Sequence, residues 1–170
     1  MIKKGMYNLL IVSYQLLYQK LEQDLFPIGQ MLKEAKSLLN SDYIKNLEVK
    51  VTKKNIKWYL DTTGKKLEII KKYIDYVNSR NKKYIMDKIA YTLILRIRTL
   101  EIIKKLIQNR SYSKKEFIKL IKRISKGANA YERYLAVKNN LKEESRLTIN
   151  KAEKLYEYLK KDLSRVKRMI

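Results

Sequence analysis

The chain has no cysteine and no histidine among its 170 residues. Without cysteine there can be no disulfide and no thiolate nucleophile; without histidine there is no imidazole to act as a general base near neutral pH. The two commonest zinc ligands are missing together, so neither a metal site of the usual kind nor a cofactor is expected. One proline and four glycines leave little to break a helix or to cradle a phosphate, and no glycine-rich loop with its following lysine is present. Acidic residues are scarce as well: 17 Asp and Glu stand against 40 Lys and Arg, a net charge of +23. Long apolar runs are also lacking. Met6 to Leu21 (MYNLLIVSYQLLYQKL) follows Lys3 and Lys4 as a signal-peptide core would, but it contains Asn8, Ser13, Gln15 and Gln19 and no small-x-small cleavage site. Tyr91 to Ile103 (YTLILRIRTLEII) is interrupted by Arg96 and Arg98. Neither approaches the roughly 18 uncharged apolar residues that a spanning helix needs. A cytoplasmic protein with no membrane span is expected.

What is present is an uneven positive charge. Residues 1–40 hold five basic and three acidic side chains, net +2, whereas residues 41–170 hold 35 and 14, net +21. The division expected is a near-neutral N-terminal helix over 1–27 and a basic helical bundle over 28–170. A field of this size attracts polyanions, nucleic acid above all. A/T-rich codons also favour Lys, Ile, Asn and Tyr, and a Lys-rich, Cys-free composition suits a thermophile; neither accounts well for the shortage of Asp and Glu.

Periodicity predicts an all-α, single-domain bundle of about seven helices. The first runs from Met6 to Glu22 and stops before Pro27. The second carries the stripe Ile28, Met31, Leu32, Ala35, Leu38 and Leu39. Tyr43 to Val51 reads as a loop. From Thr52, the positions Ile56, Leu60, Thr63, Leu67, Ile70, Ile74 and Val77 step by four and three, forming one long helix with a weak point at Gly64. A central helix near 83–108 is apolar almost all round. Ser113 with Glu116 predicts a capping box and Gly127 a left-handed cap for the next helix. A short helix follows from Ala130 to Lys138. Asn150 with Glu153 opens the last, whose stripe is Ala152, Leu155, Leu159, Leu163 and Val166.

No acid–base pair stands out among the carboxylates, most of which sit beside lysines, so an enzyme is the less expected class. The candidate binding residues are cationic and aromatic. Tyr131, Tyr134 and Lys138 fall at i, i+3 and i+7 on one stripe, with Arg133 beside them as the candidate for exposure. Such an arrangement can stack on unpaired bases and hold phosphates, although tyrosines at helical spacing also suit a core face. The doublet Lys104-Lys105 is one of seven that could track a phosphate backbone. Arg96 and Arg98 lie about 200° apart on a helix. Arg96 continues the stripe Ile85, Ile89, Leu93, Leu100, Ile103 and Ile107, so its guanidinium should be mostly buried and hydrogen-bonded to an acidic or tyrosyl partner. Arg98 should be a solvated partner of Glu101.

The segments YTLILRIRTLEIIKKLI, YSKKEF, YERYLAVKNN and KAEKLYEYL, in this order between about Gln30 and Leu163, resemble the helical C-terminal region of archaeal nucleotidyltransferase-like proteins. The paired-Asp catalytic head of that family is missing and Thr99 stands where a glycine is expected, so the transferase activity does not carry over. The resemblance implies a helical module that contacts a nucleotide or RNA substrate. The expected function is thus a non-catalytic module binding nucleic acid, RNA in preference to DNA, through phosphates. The alternative is a protein-interaction or scaffold module, associating with itself or with a separately encoded nucleotidyltransferase head through its N-terminal helix.

Overall fold

Strong helix formers with few breakers favour helix almost everywhere. The computed structural model describes residues 11–26, 28–141 and 146–170. Among these there are eight helices and no strand: α1 (Tyr14–Gln23), α2 (Ile28–Glu34), α3 (Ser41–Asn46), α4 (Lys53–Ser79), α5 (Asp87–Ile107), α6 (Lys114–Ser125), α7 (Asn129–Lys138) and α8 (Ile149–Met169). Met6 and Pro27 lie outside the described residues, but residues 11–13, expected within the first helix, are not helical: the Ser13 hydroxyl caps the Leu16 N–H and α1 starts at Tyr14, ending at Gln23 beside the expected Glu22.

Helix α5 is the axis of the bundle. Leu93, Ile94, Ile97, Leu100 and Ile103 join a core shared with α4, α6, α7 and α8. On another side Ile102 and Leu106 meet Leu21, Leu25 and Leu47 from the N-terminal elements. An element covered from several directions must be apolar on several faces. The long outer helices need only one stripe each. All seven predicted positions of α4, from Ile56 to Val77, are buried, and so are all five of α8. Each large aliphatic side chain removed from water contributes about 1.5–3 kcal/mol.

Capping chemistry sets the ends. The Thr52 hydroxyl accepts from the Asn55 N–H at 3.2 Å while Asn55 Oδ1 accepts from the Thr52 N–H at 2.9 Å, a reciprocal capping box. Asn55 Nδ2 also donates to the Leu21 and Lys50 carbonyls, which ties the start of α4 to the N-terminal elements. Downstream of α4, α5 and α7, the chain turns at Asn81, Asn109 and Asn140, all with positive φ, the residue type after glycine best suited to that conformation.

Several boundaries differ from expectation. Helix α2 stops at Glu34, leaving Leu38 and Leu39 exposed at 96% and 85%; a short helix without a surface to pack on does not propagate. Residues 43–46 of the expected loop are helical, within α3. Helix α5 starts at Asp87 because residues 83–85 are extended instead. There the Ile85 N–H donates to Leu147 O (3.0 Å) and the Ile149 N–H to Lys83 O (3.2 Å), pinning the entries of α5 and α8 together. The Ser113 hydroxyl caps Glu116 N–H, but the Glu116 carboxylate turns to Lys105 and completes no box. The left-handed residue after α6 is Lys126 (φ 51°), not Gly127. Helix α8 is entered from Thr148, with Asn150 already inside it.

Helix α4 passes through Gly64 unbroken, and a β-carbon there would meet nothing within 4 Å. Gly64→Ala therefore gains helix propensity without a clash. It should stabilise the protein by about 1 kcal/mol and raise Tm by about 2–4 °C; a thermal melt showing no gain would contradict a continuous α4.

Candidate nucleic-acid interface

Helix α7 lies against α5 and turns its tyrosines inward. Tyr131 and Tyr134 are buried. The Tyr134 ring stacks on Tyr91 of α5 at 5.2 Å and 15°, and Tyr131 lies edge-on to Phe117 of α6 at 6.2 Å. Their rings are thus core material and only their hydroxyl ends remain for a ligand. Arg133, expected outside, is buried as well: its Nε donates to Asp87 Oδ1 at 2.7 Å and its NH2 meets Asp87 Oδ2. This bidentate pair holds the start of α5 against α7, and its fork geometry is the reason Arg suits the position. Lys138 at the end of α7 is exposed.

Arg98 lies where sequence reasoning did not place it. Rather than a solvated partner of Glu101, it is half-buried, with its guanidinium 5.6 Å from the centre of the Tyr112 ring. Burial opposes its charge, but the Tyr134 hydroxyl and then Tyr112 outweigh that and raise its pKa. Burial, partly offset by Arg98, pushes the Tyr112 phenol up to about 12, and burial also raises Tyr131, so both phenols stay protonated at neutral pH. Arg98, Lys114, Lys138 and the hydroxyl-bearing residues Tyr112, Tyr131 and Tyr134 line one cavity of about 170 Å³. The signal available in the sequence was Tyr91, seven residues before Arg98 and hence on the same helical face.

Arg96 points elsewhere, into the α4–α5 groove. It is half-buried and its NH1 donates to Thr62 Oγ1 at 2.9 Å, with the guanidinium 6.0 Å from the centre of the exposed Trp58 ring. Burial lowers its pKa and nearby Tyr59 partly restores it. The partner is thus a threonine hydroxyl in place of an acid or a tyrosine. Tyr59 itself is committed, its hydroxyl lying 2.6 Å from Asp24 Oδ1 and 2.7 Å from Phe26 O.

Lys104 and Lys105 are neutralised. Lys104 Nζ lies 2.5 Å from Glu101 Oε1 and 2.7 Å from Asp162 Oδ1, and the Tyr158 hydroxyl donates to the same Glu101 oxygen at 3.0 Å. Lys105 pairs with Glu116 at 2.8 Å. Burial raises the Asp162 carboxyl more than Lys104 lowers it. A row of cations lies on the outer face of α6 and at its end. Lys115, Lys119, Lys122 and Lys126 recur at i, i+4, i+7 and i+11 and are all exposed, in no ion pair among the described residues.

Among the described residues no cluster of three or more acidic side chains could hold a metal, and no helix is long and apolar enough to cross a membrane. No protein-family model, curated protein or solved structure matches the chain.

The Glu101–Lys104–Asp162 network generates a stability prediction. Lys104→Met leaves the buried Asp162 with only the more distant Arg165, at 3.8 Å, for a cation and should cost about 3 kcal/mol at neutral pH. Because the folded Asp162 then binds its proton more tightly than the unfolded chain does, stability falls as pH rises above the ordinary aspartate value of 3.8. Part of the loss should therefore return in acid. Urea unfolding of both proteins at pH ~5 and ~7 checks this; a deficit identical at both values would contradict it.

Proposed function

We propose that this chain is a non-catalytic basic helical module that binds nucleic acid, RNA in preference to DNA, mainly through phosphate contacts. The observation that carries the reading is the lysine row of α6. Steps of three and four residues place the Cα atoms of Lys115, Lys119 and Lys122 about 4.5–6 Å apart along the axis, and Lys126 follows at the left-handed residue that ends the helix. The one carboxylate on the same helix, Glu116, is already engaged by Lys105. Lysines so placed supply affinity without reading sequence. Lys114, next to this row, leads to the cavity lined by Arg98 and Lys138.

The preference for RNA rests on exposed aromatics beside cations. Trp58 with Arg96, Tyr76 with Arg80 and Tyr84 with Lys83 pair within 6.0 Å, and their rings are 63%, 52% and 40% exposed. An exposed ring stacks only on a base that is itself unpaired, which single-stranded RNA offers and duplex DNA does not. The likeness to the helical region of archaeal nucleotidyltransferase-like proteins points the same way.

A second reading has its own support. Ile11, Tyr14, Leu16 and Tyr18 in and before α1 are exposed at 83%, 61%, 42% and 40%, whereas α1 buries Leu21 alone. This surface suits a scaffold that associates with itself or with a separately encoded nucleotidyltransferase head.

Fluorescence anisotropy with single-stranded RNA tests the first reading. With about four phosphates neutralised, affinity should fall about fifty-fold between roughly 50 and 200 mM salt. Lys115→Glu with Lys119→Glu and Lys122→Glu should weaken binding and flatten the salt slope by about one per lysine. Trp58→Ala should cost about 1–3 kcal/mol with single strands and nothing with duplex DNA. No binding at low salt, or binding indifferent to salt, refutes it. For the second reading, sedimentation should give a multiple of 20.4 kDa that Leu16→Lys with Tyr18→Lys returns to the monomer.

A further inference from the structure

The cavity between α5, α6 and α7 differs from the other charged recesses in having no acid in its lining. Arg98, Lys114 and Lys138 border it with Tyr112, Tyr131 and Tyr134. The larger cavity beside Lys104 and Lys105 includes Glu101 and Glu116 in its wall, and its charges cancel locally. Of the other inward-facing cations, Arg133 is held by Asp87 and Lys104 by Glu101 and Asp162, while Arg96 is committed to the Thr62 hydroxyl. Arg98 has only phenols around it, and these orient a guanidinium without cancelling its charge. A half-buried cation without a counter-ion is costly to keep, and that cost is relieved when an anion enters.

The donors are arranged in depth. Arg98 is half-buried, whereas Lys114 and Lys138 are exposed at the rim. Lys114 also opens α6, whose first-turn N–H groups present the positive end of the helix dipole. The Tyr112 and Tyr131 phenols remain neutral and can donate.

We infer that this cavity binds a phosphate monoester, and that in a bound RNA it receives the terminal phosphate. A volume of about 170 Å³ accepts a phosphate group but not a strand running through it. Three cations match the near-double negative charge of a monoester better than the single charge of an internal diester. The first half of this inference stands independently; the second rests on the RNA-binding reading above.

Calorimetry on the full chain with inorganic phosphate, adenosine 5′-monophosphate and adenosine tests the first half. Phosphate and the monophosphate should bind and adenosine should not, with affinity for the monophosphate falling as pH drops through about 6, where the monoester dianion takes up a proton. Lys114→Gln with Lys138→Gln alters only exposed residues and should abolish binding; Arg98→Lys keeps the charge but loses the fork and should weaken it about tenfold. The same short RNA carrying a terminal phosphate or a hydroxyl tests the second half, and the phosphate should tighten binding about tenfold in the wild type alone. If the monophosphate and phosphate do not bind, or bind equally to the double variant, the cavity is not a phosphate site. RNA binding that ignores its terminal group, together with no monophosphate binding, overturns this inference and leaves the RNA reading intact. Monophosphate binding without RNA binding upholds the site and removes the RNA reading.

Discussion

Most of the charged groups on α5 must find partners inside the bundle, because α5 is covered by helices on most of its circumference. The charges it carries organise much of the internal polar chemistry described here. Asp87 at its start holds Arg133 of α7; Arg96 reaches Thr62 of α4; Arg98 lies among phenols; Glu101 and Lys104 meet Tyr158 and Asp162 of α8. In this way α5 is bound to three neighbours by directional contacts in addition to apolar packing. Apolar burial supplies most of the stabilisation and tolerates some sliding, whereas a buried charge is stable in one register only.

The same constraint divides the cations into two kinds. Arg133 and Lys104 are compensated by carboxylates and act as internal fastenings. Arg98 and Arg96, and exposed lysines such as those of α6, lack such compensation. A net charge of +23 says only that the chain attracts anions. The pattern of compensation distinguishes the cations committed to the fold from those without a carboxylate. On this basis Lys104 and Arg133 belong with the former, and Lys138, with Arg98 and Lys114, with the latter.

The helical architecture was legible because it depends on local repetition. Ile56 to Val77 and Ala152 to Val166 announce their buried faces by spacing alone, and the density of Leu and Ile around Leu93 marks the central helix. Reading failed where spacing was present but a surface was not: Leu38 and Leu39 complete an apolar stripe that has nothing to pack against. It failed again at Arg133, whose partner Asp87 is 46 residues away. The cavity was half legible. Tyr131, Tyr134 and Lys138 lie on one helical stripe, but Arg98 and Tyr112 join them only because α5 and the segment before α6 pack against α7.

By itself, then, the sequence determined the helical class, the buried central element, the sign of the field, and the absence of thiolate and imidazole chemistry. These follow from composition and from periodicities of three and four residues, which are properties of the chain taken locally. The tertiary structure decided which cations are neutralised and which remain available. Ion pairing depends on separations of a few ångströms between residues far apart in sequence, and on the burial that sets the strength of each charge. Neither distance nor burial of that kind exists until the helices have packed.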